Sequence, residues 1–261
     1  MSATPLLSPD PAPLLRLEGI SKTFPNGTVG IGRFDLTVNE GEIVTLIGPS
    51  GCGKSTVLRM IAGLERADEG AILWRGGKRP ELGFVFQEAT LMPWASAFDN
   101  VWLPLRLKGV SREKARQAIE EALELVGLAD FARAAPRELS GGMRMRVSIA
   151  RALVLHPPLL LMDEPFAALD EITRFRLNDD LLAVRERIGC TVLFVTHSIF
   201  EAAYLSSRVV TLTPRPGRVF DELRVEPPLP RRDDFRLSPG FAEAARHLSE
   251  ALQRAMTDEP A

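Results

Sequence analysis

Short apolar runs alternate with amphipathic stretches along most of the chain. The apolar runs, rich in β-branched residues, predict buried strands at residues 43–47, 82–87, 159–162, 191–195 and 209–212, the last of which should close the sheet. Stretches with apolar residues every three or four positions predict helices that begin near residues 54 and 141 and span 111–126 and 171–188. This alternation predicts an α/β fold with a mainly parallel sheet.

The front of the chain has a different pattern. Residues 14–20 and 34–38 alternate like strands, and Asn26-Gly27 between them is a hairpin signal. Residues 71–74 predict a further strand. We therefore expect a small antiparallel β subdomain that lies against the main sheet.

One region interrupts the alternation in the middle of the chain. Residues 88–104 read as a loop because they contain Pro93, Trp94, Trp102 and Pro104. The helix at 111–126 follows, so we expect an inserted α-helical subdomain at about residues 93–145.

The two ends of the chain are predicted to lie outside the main domain. Residues 1–13, with four prolines, predict a disordered tail, and residues 14–225 predict the domain itself. Residues 226–261 predict an extension with one amphipathic helix that packs on the domain. The apolar face of that helix consists of Phe241, Ala245, Leu248 and Leu252.

Composition narrows the classes of function. The chain has 261 residues, 45% of them hydrophobic and 25% charged, as expected of a globular protein. Its net charge of −2 gives no electrostatic case for nucleic-acid binding. Cys52 and Cys190 form no metal or disulfide pattern, and no apolar run reaches the roughly 20 residues that span a bilayer. Since the N-terminus also lacks the features of a signal peptide, we expect a cytoplasmic chain.

The turn after the strand at 43–47 carries the clearest chemical signal. It fits the phosphate-loop pattern G-x-x-x-x-G-K-[ST] and continues into a helix. Its backbone N–H groups and the helix start favour anionic oxygens, Lys54 adds a charge at the β- and γ-phosphates, and Ser55 is suited to ligate Mg²⁺. The alternative is a glycine-rich turn with a chance lysine. The candidate ATP-binding residues here are Gly48, Pro49, Ser50, Gly51, Cys52, Gly53, Lys54, Ser55 and Thr56.

Polar residues also end three other predicted strands. Because ligands bind beyond the carboxyl ends of parallel strands, Gln87, Asp163 and His197 should converge on the phosphate loop. Asp163 suits Mg²⁺, Gln87 could contact the metal or the attacking water, and Glu164 is placed to polarise that water. The alternatives are a solvated acidic pair at Asp163-Glu164 and a purely structural His197.

The motifs in this order resemble those of the ATP-binding cassette (ABC) ATPases over residues 14–225. The resemblance implies a RecA-like phosphate-loop NTPase fold with a helical signature subdomain. It also implies roles for residues outside the phosphate loop: Gln87 in the Q-loop, Leu139, Ser140, Gly141 and Gly142 in the signature, Asp163 and catalytic Glu164 in Walker B, Ala168, Leu169 and Asp170 in the D-loop, His197 as the switch, and Phe24 against adenine.

This resemblance further implies a homodimer. In the family two cassettes pair head to tail, so Ser140 of one chain faces the γ-phosphate held by Lys54 of the other. The chain shows no internal repeat, so a second copy is needed.

Some finer sequence features resemble those of the ABC ATPases of importers for nitrate, sulfonates and taurine. Met143 replaces the usual glutamine after the signature, and the sequence continues to Arg-Pro-Gly-Arg at 215–218. This implies an integral membrane permease, contacted by residues 88–104, and indirectly a periplasmic solute-binding protein. Two alternatives are a soluble ABC ATPase acting on nucleic acid or the ribosome, and a nucleotide-binding regulator without ATPase activity.

Overall fold

A computed structural model describes residues 13–227, 229, 231 and 233–257. The strands are β1 (Pro13–Thr23), β2 (Val29–Asn39), β3 (Ile43–Ile47), β4 (Glu69–Trp74), β5 (Leu82–Val85), β6 (Leu159–Asp163), β7 (Thr191–Val195), β8 (Arg208–Leu212) and β9 (Val219–Arg224). The helices are α1 (Lys54–Ala62), α2 (Ala97–Leu107), α3 (Arg112–Leu125), α4 (Gly141–Leu153), α5 (Glu171–Ile188), α6 (Ile199–Leu205) and α7 (Pro239–Thr257). The predicted tail lies outside the described residues except for Pro13, which instead begins β1.

The strands form two sheets. The first has the order β2-β1-β4 and is antiparallel, and its hairpin turns at Asn26-Gly27 as predicted. The second has the order β5-β6-β7-β3-β8-β9 and is parallel except for β9. The prediction that 209–212 closes this sheet is wrong, because β9 pairs outside it. The three charged residues of β9 hid its strand pattern, and an edge strand tolerates them because one side faces water.

Successive residues of the central strands pack into two different apolar layers, one on each face of the sheet. In β6, Leu160 and Met162 pack into the layer that includes α3–α6, while Leu159 and Leu161 pack toward the antiparallel sheet and α1. All five residues of β6 are buried. The prediction of a buried strand at residues 159–162 is therefore confirmed, and replacing such a leucine by alanine would cost about 2–5 kcal/mol.

The prediction of a loop through residues 88–104 is wrong over its second half. There the chain forms α2, capped by Ser96, whose Oγ accepts the Asp99 backbone N–H at 3.1 Å. Pro104 lies inside this helix. The proline was read as a breaker, but burial of Ala97 and Val101 in the core outweighs the missing backbone donor.

The C-terminal helix α7 packs against α6, β8 and β9. Leu248 of the predicted apolar face is buried, and Phe241, Ala245 and Leu252 are partly buried against the core. Arg231 anchors the segment before α7 by donating to the carbonyls of Val225, Pro227 and the end of α6, and burial lowers its pKa to about 10. No helix in the described residues is both long and apolar enough to cross a membrane.

Candidate nucleotide-binding site

The phosphate loop joins β3 to α1, as predicted. Gly51 and Gly53 have left-handed backbones, with φ of +77° and +104°. A Cβ on Gly53 would lie 2.3 Å from Ile31 Cδ1 and 2.9 Å from the Gly30 carbonyl oxygen, so a larger residue has no room. Gly53 also precedes α1 without any side-chain cap. The first N–H groups of the helix therefore face the loop, as a phosphate ligand requires.

Lys54 and Ser55 lie at the start of α1. Lys54 is only 4% exposed, and its Nζ donates to the carbonyl oxygens of Gly48 (2.8 Å) and Pro49 (3.1 Å). The Ser55 hydroxyl donates to Oδ1 of Asp163 at 2.7 Å. Burial raises the pKa of Asp163, and the bond from Ser55 opposes that shift. Two hard oxygen donors on different elements thus meet beside the loop.

Glu164 and His197 meet at the ends of neighbouring strands. β6 and β7 are adjacent, and Nδ1 of His197 lies 2.9 Å from Oε2 of Glu164. Since a carboxylate can only accept, Nδ1 is the donor. Glu164 has φ of 47°, an unusual conformation for a residue with a side chain, fixed in part by its N–H bond to the Val195 carbonyl (2.9 Å). Such strained backbones cluster at functional sites.

Phe24 stands beside the phosphate loop. A Cβ on Gly30 would lie 2.5 Å from Phe24 Cε2, so the ring covers Gly30, whose carbonyl approaches Gly53. The ring is partly exposed. This position agrees with a ring that stacks on a base bound next to the loop, and that role stays a prediction.

The sequence did not predict that the turn between β8 and β9 belongs to the site, but the structure places it against the phosphate loop. Arg215 donates through Nε and Nη2 to the Gly51 carbonyl (3.1 and 2.9 Å). A Cβ on Gly217 would lie 2.0 Å from the Cys52 carbonyl oxygen. A Pro-Gly pair directly after the strand beside β3 was the available signal, but only the topology shows that it covers the phosphate loop.

The Q-loop, signature and D-loop segments share another surface. Gln87, Gly141 and Ala168 line one cavity of about 440 Å³. Ser140 caps α4 by accepting the Met143 N–H (3.2 Å), and a Cβ on Gly142 would lie 2.8 Å from Thr173 Cγ2. Within the described residues, residues 140–142 make no hydrogen bond to the phosphate loop, and no phosphate-loop residue lines this cavity.

Asp170 caps the next helix. Its Oδ1 accepts the Thr173 N–H at 2.9 Å, and this bond lowers the pKa of the Asp170 carboxyl. The D-loop thus ends at a fixed helix start with its acidic residue exposed.

Comparison with known families decides the identity of the cassette. The family profile described as "ABC transporter" matches residues 31–167, which span the phosphate loop, the signature and Walker B. The chain belongs to the ABC transporter family. It is an ATP-binding cassette with the phosphate-loop NTPase fold and is an ATPase of the ABC type.

Individual relatives support the family across nearly the whole cassette. A putative ATP-binding protein of Brucella abortus is 44% identical over 89% of this chain and 92% of that protein. An aliphatic sulfonates import ATP-binding protein, SsuB 2, of Burkholderia cenocepacia is 43% identical over 97% of this chain and 94% of that protein. The dimeric post-hydrolysis structure of the ATP-binding cassette MJ0796 with ADP and Pi is 35% identical, with a TM-score of 0.71 over 80% of this chain and 98% of that chain.

Proposed function

We propose that this ABC ATPase is the ATP-hydrolysing subunit of an importer that takes up a small anionic or polar solute through a separate membrane permease. The proposed role in hydrolysis rests on the contact between Glu164 Oε2 and His197 Nδ1, which lie 2.9 Å apart at the ends of adjacent strands. The import part is supported by the name of the sulfonate relative.

The residues at the loop suit a magnesium nucleotide. The Ser55 hydroxyl and the Asp163 carboxylate, 2.7 Å apart, are hard oxygen ligands that would hold Mg²⁺. Gln87 lines the separate cavity that it shares with the signature, so its role as a further ligand stays a prediction. Mg²⁺ would neutralise charge on the β- and γ-phosphate oxygens. Lys54 and the N–H groups of the loop bind the phosphates, and Phe24 stacks on the base.

Glu164 then acts on the attacking water. Its carboxylate orients the water and accepts a proton from it, while His197 fixes the carboxylate from the other side. Both side chains are partly exposed, so a water molecule can reach them.

The second wall of the site would come from another copy of the chain. Ser140 is exposed and Gly141 is partly exposed, and no anion partner for this helix start lies in the described part of one chain. The relative MJ0796 forms a dimer. We propose a head-to-tail homodimer in which Ser140, Gly141 and Asp170 of one chain complete the site at Lys54 of the other.

Residues 88–104 supply candidates for the permease contact, and the structure separates their two tryptophans. Trp94 is 82% exposed, whereas Trp102 is partly buried and donates its indole N–H to the Val110 carbonyl at 3.1 Å. A mostly apolar groove of about 190 Å³ is lined in part by Leu103 and Leu107 of α2. We propose that Trp94 and this groove bind a permease at the inner face of the membrane, and that a periplasmic binding protein delivers the solute.

Aliphatic sulfonates are the proposed solute class, and growth tests this choice. A strain lacking the gene should fail to grow with an alkanesulfonate as its sulfur source and should grow normally on sulfate. The wild-type gene should restore growth, and Lys54→Ala should not. Normal growth of the deletion strain on alkanesulfonates would refute this choice, and uptake of nitrate or of the aminosulfonate taurine would then be tested in the same way.

The two alternatives are less well supported. A nucleic-acid or ribosome factor would need a binding surface that the net charge of −2 does not favour. A regulator without ATPase activity would have no use for the Glu164–His197 contact.

A further inference from the structure

A buried glutamate and an arginine lie close together next to the loop that contains His197. Glu201 in α6 is 4% exposed, and its Oε1 lies 3.6 Å from Nε of Arg174 in α5. Neither atom has a hydrogen-bond partner in the described part of the chain. Leaving buried charged atoms without a hydrogen-bond partner costs free energy. A small movement that shortens the 3.6 Å separation would therefore be favourable, because it would form this hydrogen bond.

The other carboxylate oxygen of Glu201 is hydrogen-bonded to the loop that contains His197. Its Oε2 accepts a hydrogen bond from the Thr196 hydroxyl, and Oγ1 of Thr196 itself accepts the Ser198 N–H at 2.9 Å. The residues on both sides of His197 are therefore fixed through one carboxylate.

Arg174 is tied to the D-loop. Its Nη2 donates to the carbonyl oxygens of Leu169 (3.1 Å) and, more weakly, Ala167 (3.5 Å). These residues form the turn just before Asp170. A single guanidinium thus holds the D-loop with one nitrogen and faces Glu201 with another.

We propose that Arg174 and Glu201 are positioning residues that couple the His197 loop to the D-loop. Movement of His197 toward a phosphate shifts Thr196 and Glu201, and Arg174 transmits that shift to the turn at 167–169. The inference rests on the proposed roles of His197 and Asp170 in the composite ATP site. Neither Arg174 nor Glu201 is among the residues proposed to bind the nucleotide.

Kinetics of three variants test the coupling. Glu201→Gln still accepts from Thr196 but no longer attracts Arg174. We expect kcat to fall about tenfold in Glu201→Gln and in Arg174→Gln, with KM for ATP unchanged, and no further fall in the double variant. Glu222→Gln is the matched control, since it breaks the Arg208–Glu222 ion pair (2.8 Å) on β8 and β9 and should leave kcat unchanged.

Amide hydrogen exchange gives a readout that does not require hydrolysis. Glu201→Gln should speed exchange in a peptide covering 166–170, although Glu201 does not bond to that turn, while thermal stability stays near wild type. Unchanged kcat and exchange would overturn the proposal. So would a loss of activity matched by lower stability and faster exchange throughout the chain, which would show a structural role only. If Glu164→Gln retained full turnover, the proposed catalytic role would fail, and the exchange result would still decide the coupling.

Discussion

The Ser55 hydroxyl donates to the Asp163 carboxylate at 2.7 Å, although 108 residues separate the two in sequence. The contact brings the start of α1 to the end of β6, and β7 lies between β6 and the phosphate-loop strand β3. It defines the position where Mg²⁺ would lie.

Asp163→Asn should separate nucleotide binding from hydrolysis. The amide can still accept from Ser55, but it loses the charge that favours a divalent cation. We expect binding of a fluorescent ATP analogue in EDTA to change less than about threefold and Mg²⁺-dependent turnover to fall at least about 100-fold, or roughly 2.7 kcal/mol. An unaltered dependence of turnover on Mg²⁺ would remove Asp163 from the metal site.

Gly217→Ala should weaken ATP binding through the phosphate loop. The new methyl group would clash with the Cys52 carbonyl, since a Cβ there lies at 2.0 Å. We expect KM for ATP to rise about tenfold, because the loop must shift. Gly240→Ala in α7 is the control, with its nearest neighbour at 3.3 Å. Equal KM values in the two variants would show that the β8–β9 turn does not shape the loop.

The Cys52 thiol should react slowly at neutral pH and faster as the pH rises. Burial raises the pKa of Cys52, so the thiolate that reacts with iodoacetamide is scarcer at neutral pH than for an ordinary thiol. In Cys190→Ser, which removes the other free thiol, the alkylation rate should keep rising from pH about 7 to beyond about 9, and ATP should slow it further. A rate that levels off below pH about 8 would contradict this environment.

The two tryptophans of the 88–104 segment should respond differently to substitution. Trp94→Ala should change the free energy of unfolding by less than about 0.5 kcal/mol but reduce capture of the chain by the proposed permease. Trp102→Ala should cost about 2 kcal/mol, because it removes packing and the bond to Val110. Thermal unfolding and pull-down with the co-expressed permease measure the two effects. Undiminished capture of Trp94→Ala would place the contact elsewhere.

Local signals were sufficient for much of the fold. The apolar run of β6 and the glycine pattern before Lys54 each indicate one conformation, and the structure has both. Ser140 also caps its helix as its side chain suggests. Such features depend on neighbours in sequence.

Features set by packing between distant segments were not predictable. Helix α2 continues through Pro104 because its apolar face is buried, and β9 is a strand because β8 offers it an edge. The contacts of Arg215 with the phosphate loop and of Arg174 with Glu201 join residues whose proximity follows only from the order of the strands.

The central claim is that two copies of this chain close around ATP, and the mass of Glu164→Gln in solution tests it most directly. This variant should bind ATP without turning it over, so the closed state should accumulate. Light scattering should give the mass of one chain without nucleotide and twice that mass with ATP and Mg²⁺, and Ser140→Arg added to the same variant should bind ATP but keep the mass of one chain. A Glu164→Gln variant that binds ATP and remains a single chain would contradict the composite site.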